Sequence, residues 1–396
     1  MSVSTTGGGV LFAPSQELTQ TSMGELVVAQ FTPLAAARFD YTINPKLYTT
    51  VTSNGGTVTV DTNRAKLTTS VAINGSASVQ TINKCRYIPG IGSLSRFTAC
   101  FATGTANSQQ IIGIGGLING FFFGYNGTSF GIMRRRDSID SWVAQGSWNG
   151  SALTMSHNTS FGNIYQIRYQ WLSYSPIKFY IFDSTLREFV LVHQIDYPNT
   201  TQDVSILNPN LPCFSEIKNT GNNTSLSMYT PSAIVGLECK IDAPNPLEIF
   251  VGASVGPVVL TDTNNNHILS VKNDTVIGAT INLITLKINS CIVSRENNAV
   301  KGSIIRIYLD ATTAIARTYT AIDATHSPSQ YSTTATTISS GTVRYAISLP
   351  AGAGPFTFDL EGDIYLQPGE IMTVACQNTA VTSTDIFASV DFVEQF

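Results

Sequence analysis

The chain has 396 residues, only 12% of them charged, and a formal net charge of −4. That length supports two to three domains with sizeable cores. The charged share is about half the globular norm, and the lack of a Lys/Arg stripe argues against a nucleic-acid groove.

Ser, Thr, Asn and Gly fill the space left by the missing charges. They disfavour helices and favour many short strands with tight turns. The predicted fold class is therefore all-β: two antiparallel β-sandwiches of jelly-roll or lectin-like type behind an extended N-terminal arm. Residues 1–35, with Gly7-Gly8-Gly9 and no sustained period, are read as that arm, a tether ordered against a partner. No basic segment precedes an apolar one, so no signal peptide is expected. The apolar runs are too short for a transmembrane helix.

Residues 36–245 read as a large lectin-like sandwich. Turn signals recur at strand-length intervals: Asn54-Gly55-Gly56, Asn74-Gly75, Pro89-Gly90, Asn119-Gly120, Asn126-Gly127 and Asn149-Gly150. The stretch Gly120–Gly150, GFFFGYNGTSFGIMRRRDSIDSWVAQGSWNG, is the densest. Asn126-Gly127 predicts a type I′ hairpin turn between Phe121–Tyr125 and Ser129–Arg134. Phe121 and Phe123 should share one face and Phe122 the other, so the hairpin should be covered on both sides. The run Arg134-Arg135-Arg136, flanked by Asp137 and Asp140, reads as a solvated loop face. Tyr165, Ile167, Tyr169 and Trp171 alternate with Gln166, Arg168 and Gln170, which predicts a strand with an aromatic core face. Lys178–Phe182 and Phe189–His193 follow as a hairpin around Asp183–Glu188.

Residues 246–396 read as a second, smaller sandwich. Its expected strands include Thr280–Ser290, Ser303–Asp310, Thr342–Leu349, Phe356–Leu360 and Ile371–Cys376, with a loop over Val258–Asn266. The alternating run Ile386–Phe396 implies a C-terminal strand docked in a sheet. No tandem repeat is present, which disfavours propellers and solenoids.

The Gly120–Gly150 stretch, together with Tyr87 to Gly92, Arg96 to Ala99, Gly162 to Ile167, Gln170 to Leu172 and Phe189 to His193, resembles a domain of virion proteins from large double-stranded DNA viruses and tailed phages. In those proteins the pattern runs YxPGxG, RFTA, GFFFGYNGTxFGIxRR, W and SWNG. Here the motif falls on Tyr87–Gly92, Arg96–Ala99, Gly120–Thr128, Phe130–Ile132, Arg134-Arg135, Trp142 and Ser147–Gly150. Leu366–Glu370 and the final strand are similar to the second sandwich that accompanies that domain. The resemblance implies a structural or adhesive component of a virus particle, without catalytic residues. It also implies other virion proteins as partners, a virion location, and, by analogy with other viral sandwiches, a homo-oligomer such as a trimer.

Chemistry in the residues themselves is sparse. Glycan hydrolysis needs two carboxylates facing each other across a sugar. Asp137, Asp140, Asp183, Asp196, Glu216 and Glu238 are available, but the neighbouring ones fall in predicted turns, where Asp serves the backbone. There is no nucleophile elbow, P-loop or EF-hand. Cys85, Cys100, Cys213, Cys239, Cys291 and Cys376 and the four histidines are scattered, so no metal site and no cofactor is expected, and the thiols read as buried and free. For binding, Tyr125, Trp142, Trp148 and Asn149 lie in or beside predicted loops. They could stack on and hydrogen-bond to a sugar, whereas the opposing reading makes Trp142 and Trp148 core or corner anchors. The expectation is a non-enzymatic structural protein of a virus particle, at capsid, vertex or fibre, acting through subunit contacts. The alternative is a receptor- or glycan-binding fibre head that attaches to a host surface glycan.

Overall fold

The computed structural model describes residues 3–6, 9–12, 31–239, 248–296 and 301–395. All strand pairings are antiparallel, and no α-helix occurs among the described residues. The chain divides into two compact units, Met1–Asp242 and Ala243–Phe396, each a β-sandwich.

The first unit faces a seven-stranded sheet against a six-stranded one. The seven-stranded order is Ile139–Ala144, Ser129–Arg136, Gly120–Asn126, Ser108–Gly115, Cys213–Asn219, Ser76–Thr81 and Tyr48–Ser53. The six-stranded order is Glu188–Ile195, Ile177–Asp183, Asn163–Tyr169, Ser93–Ala99, Ser232–Leu237 and Thr32–Arg38. Most of the predicted arm lies outside the described residues. Val3–Thr6 and Gly9–Phe12 form a small hairpin. Residues 32–35 depart from the expectation: they belong to the edge strand Thr32–Arg38, which pairs with Ser232–Leu237 and buries Ala35 and Ala37 on alternate positions.

Aromatic side chains fill the space between the sheets. Phe121 and Phe123 from one sheet meet Tyr165 and Tyr169 from the other, all fully buried, with Phe123 and Tyr165 ring centroids 4.8 Å apart. Burying four such rings supplies a large share of the hydrophobic stabilisation. Phe122 turns to the opposite face, as alternation requires, and is buried in a separate cluster with Ile111, Met133 and Phe214.

Two turns differ from the sequence reading. Asn126 pairs with Ser129, so the two-residue loop is Gly127-Thr128 rather than Asn126-Gly127. Only Gly127 has positive φ, at 60°, so glycine fills the first central position, as in a type II′ turn. This register sets Tyr125 opposite Phe130, with their rings 5.2 Å apart. The type I′ conformation falls one hairpin later, at Asp137-Ser138, where both residues have positive φ, 51° and 64°. The Arg134-Arg135-Arg136 run is likewise not a loop face. It closes the strand Ser129–Arg136, and alternation sends Arg135 to the Phe122 side of the sheet.

Asp183 closes the turn of the Ile177–Asp183/Glu188–Ile195 hairpin. Its carboxylate accepts the N–H groups of Thr154 at 2.7 Å, Met155 at 3.1 Å, Thr185 at 2.9 Å and Leu186 at 3.2 Å, and the Thr154 hydroxyl at 2.9 Å. Burial would raise its pKa, but these donors win and hold it down to about 2.

The second unit packs the four-stranded sheet Glu248–Leu260, Thr384–Gln395, Thr285–Arg295 and Phe356–Leu366 over a six-stranded one. The latter runs Thr320–Ala321, Ser329–Ser332, Asn266–Asn273, Ile371–Asn378, Ser303–Thr313 and Ile338–Leu349. Leu286, Ile288, Val293, Ile305, Val374, Val390 and Phe392 fill its core. The expected Val258–Asn266 loop shrinks to a turn, because Val258–Leu260 end one strand and Asn266 begins the next. The C-terminal strand runs to Gln395, and Phe396 lies outside the described residues. All six cysteines are free thiols. Burial pushes Cys85 and Cys213 up to about 12.

A depressed carboxylate pKa contributes stability that is present above its unfolded value and lost as pH falls through the folded one. Acid unfolding monitored by circular dichroism should therefore show a loss between the ordinary Asp pKa, about 4, and pH about 2. Asp183→Asn should flatten that window and lower the melting temperature at neutral pH.

Candidate functional site

Three of the four candidate binding residues are occupied by the first sandwich itself. Tyr125 is half-buried, edge-on to Phe101 and Phe130, and its hydroxyl bonds with that of Thr159 at 2.7 Å. Trp148 follows a short 3-10 turn, Gln145–Ser147. Its ring meets the edges of Phe123 and Phe130, and its indole N–H donates to the Val143 carbonyl at 3.3 Å. Asn149 behaves like a piece of backbone. Its side-chain amide donates to the Gln194 carbonyl at 2.9 Å, and its Oδ1 accepts the Gln194 N–H at 2.8 Å. It thereby extends the outer edge of the strand Glu188–Ile195. Trp142 lies on the far face of the seven-stranded sheet, against the Phe122 cluster. Tyr125 and Trp148 thus both pack on Phe130, whereas Trp142 stands on the opposite face of the sheet, so the four do not form one site.

The far face instead carries a buried polar network that the sequence did not reveal. Cross-strand registers set Trp142 beside Met133, Met133 beside Phe122, and Arg135 beside Asp140. Arg135, with only 4% of its side chain exposed, reaches Asp140 through Nε at 2.7 Å and Nη2 at 3.1 Å. The same Nη2 reaches Glu216 at 3.2 Å, and Nη1 donates to the Gly116 carbonyl at 3.1 Å. Gln109 adds a donor to Asp140 at 3.1 Å, and Lys218 sits 3.7 Å from Glu216. The guanidinium also lies 5.7 Å from the Phe122 ring centroid.

Here carboxylates from two separate strands share a single cation on a sheet face. Burial would raise the Asp140 pKa, but the hydrogen bonds and charge of Arg135 hold it below the usual range. An ionised, ion-paired Asp140 is poorly placed to donate a proton to a leaving group, and the Arg135 guanidinium bridges the two acids. Asp183 is likewise committed to backbone donors. Glu238 is buried against Arg168, its pKa raised by burial, which outweighs the attraction of that partner. Among the described residues no cluster of His, Cys, Asp or Glu could hold a metal ion.

The motif residues are also structural. The Tyr87 hydroxyl accepts the Gly90 N–H at 3.0 Å, and Gly90 adopts φ 84°. A Cβ on Gly92 would lie 2.5 Å from Glu238 Oε2, so glycine makes room for the Arg168–Glu238 pair. Arg96 donates to Gln166 at 2.7 Å, and Phe97 and Ala99 are core. A Cβ on Gly150 would collide with the Leu191 carbonyl at 2.3 Å.

No family model and no curated protein matches the chain. Solved structures with a similar sandwich include a glycosyl hydrolase family protein from Mycobacterium fortuitum, at 11% identity and TM-score 0.37, covering 52% of this chain and 99% of the other. The carbohydrate recognition domain of Emp47p matches at 12% identity and TM-score 0.34, covering 52% and 97%. The cellulose-induced protein Cip1 matches at 13% and 0.33, covering 51% and 96%. Each is a distant likeness of the sandwich alone.

Arg135→Met removes the cation and strands two carboxylates, which should cost about 3–5 kcal/mol in denaturant unfolding. Arg136 pairs only with the exposed Asp203, so Arg136→Met should leave the midpoint close to that of the parent protein.

Proposed function

We propose that the chain is a non-enzymatic structural protein of a virus particle, acting through contacts between subunits and with other virion proteins. The observation that carries the non-catalytic part is the Arg135 network, in which the opposed carboxylates of the far face are spent on one buried guanidinium. The particle role rests on the resemblance of Tyr87–Gly150 to virion proteins. The polar residues of that motif are consumed in holding the sandwich, as suits a scaffold whose outer surface does the work.

The surface supports assembly. The strand Tyr48–Ser53, YTTVTS, is an edge of the seven-stranded sheet, and its last five residues are exposed and uncharged. Soluble proteins usually guard such an edge with a charge, a proline or a bulge. A bare edge is suited to pairing with a strand of a neighbouring subunit. Beside it Tyr41 and Leu47 are exposed, at 89% and 54%.

Antibody raised to the first sandwich should label purified virus particles in gold-label electron microscopy. The purified protein should release no reducing ends from host surface polysaccharide, even at high concentration. Particles that never carry label would overturn the particle role, and a stoichiometric release of reducing ends would overturn the non-catalytic one.

A further inference from the structure

An open groove of about 630 Å³ lies on the second unit, around the bulge in its edge strand Glu248–Leu260. Its floor is built by cross-strand register. Ser254, Ser389 and Ile292 form one row across three strands, and Phe387 and Ser294 form the next. Tyr331 and Thr333 complete one wall.

Three features single it out. Phe387 is 40% exposed, a large ring partly open to solvent at the outer face of a sheet. The ring lies directly on Gly256, where a Cβ would come within 2.2 Å of Phe387 Cδ1, so the glycine is what lets the ring lie there. The hydroxyls of Ser254, Ser294, Ser389 and Thr333 line the groove, and none makes a side-chain hydrogen bond among the described residues. None of the ten lining residues is charged.

From an exposed aromatic platform, a ring of unengaged hydroxyls and the absence of charge, we infer that this groove binds a neutral oligosaccharide. The apolar face of a pyranose ring stacks on Phe387, while its hydroxyls exchange water for Ser254, Ser294, Ser389 and Thr333. A charged ligand would find no partner for its charge, and a purely apolar one would bury those hydroxyls unsatisfied. The volume falls within the range of small-molecule sites, about 300–1,000 Å³. The second unit would then supply recognition, independently of whether the first serves as a particle scaffold.

The test is calorimetric titration of the full chain with neutral hexaoses (cello-, laminari-, malto- and mannohexaose), with oligogalacturonate as the charged control. At least one neutral hexaose should bind and oligogalacturonate should not. Phe387→Ala should weaken that binding at least tenfold while its far-ultraviolet circular dichroism stays that of the parent, which separates loss of the platform from loss of the fold. Ser294→Ala/Ser389→Ala, which keeps the ring, should weaken it severalfold. No binding of any neutral hexaose, or affinity unchanged in Phe387→Ala, would overturn the inference. Particles that carry label while the protein binds no hexaose would remove the groove and leave the particle role, and the reverse pair of results would do the opposite.

Discussion

The first sandwich depends on neutralising charge on a buried sheet face. The seven-stranded sheet is covered on both sides: one face carries Phe121 and Phe123 into the main core, and the other carries Phe122, Met133 and Phe214. A carboxylate on such a face is costly unless paired. Asp140 and Glu216 both stand there, from strands that are not neighbours, and Arg135 meets the two of them with one planar fork. The six-stranded sheet repeats the device with Arg168 and Glu238. Arg135–Glu216 and Arg168–Glu238 join residues distant in the chain, so they tie separate strands together as well as balance charge.

The same pairing bears on the proposal that the chain is non-enzymatic. Catalysis by two carboxylates needs their pKa values pushed apart, with one kept protonated. A shared guanidinium favours the ionised form at Asp140, and Gln109 adds a second donor to the same carboxylate. The surfaces proposed for recognition lie elsewhere: the exposed edge strand Tyr48–Ser53 of the first unit and the groove around Phe387 of the second.

Much of the fold was legible in the sequence because it is written in local alternation. The split of Phe121 and Phe123 from Phe122, the core face Tyr165-Ile167-Tyr169 and the Asp183–Glu188 turn all follow from a period of two and from turn chemistry. The same alternation, carried one strand further, would have placed Arg135 opposite Arg134 and Arg136. The eye is drawn instead to the triplet as a basic cluster. What no local rule could supply were partners distant in the chain: Glu216 lies 81 residues from Arg135, and Glu238 lies 70 from Arg168. The intramolecular partners of the candidate binding residues were hidden for a related reason. Trp148 and Asn149 sit beside a turn, but the turn folds back on the sandwich, where Val143 and Gln194 engage them. The Phe387 groove escaped notice because Phe387 and Gly256 are far apart in sequence, and only the strand pairing stacks one on the other.

The most direct test of the account is a carboxyl carbon NMR titration of the full chain, with Asp140 assigned through Asp140→Asn. Asp140 should titrate below the ordinary aspartate value of about 3.9, and Arg135→Met should raise it. An Asp140 that stays protonated toward neutral pH in the parent protein would contradict the account, because the far face would then hold a carboxylic acid able to donate a proton.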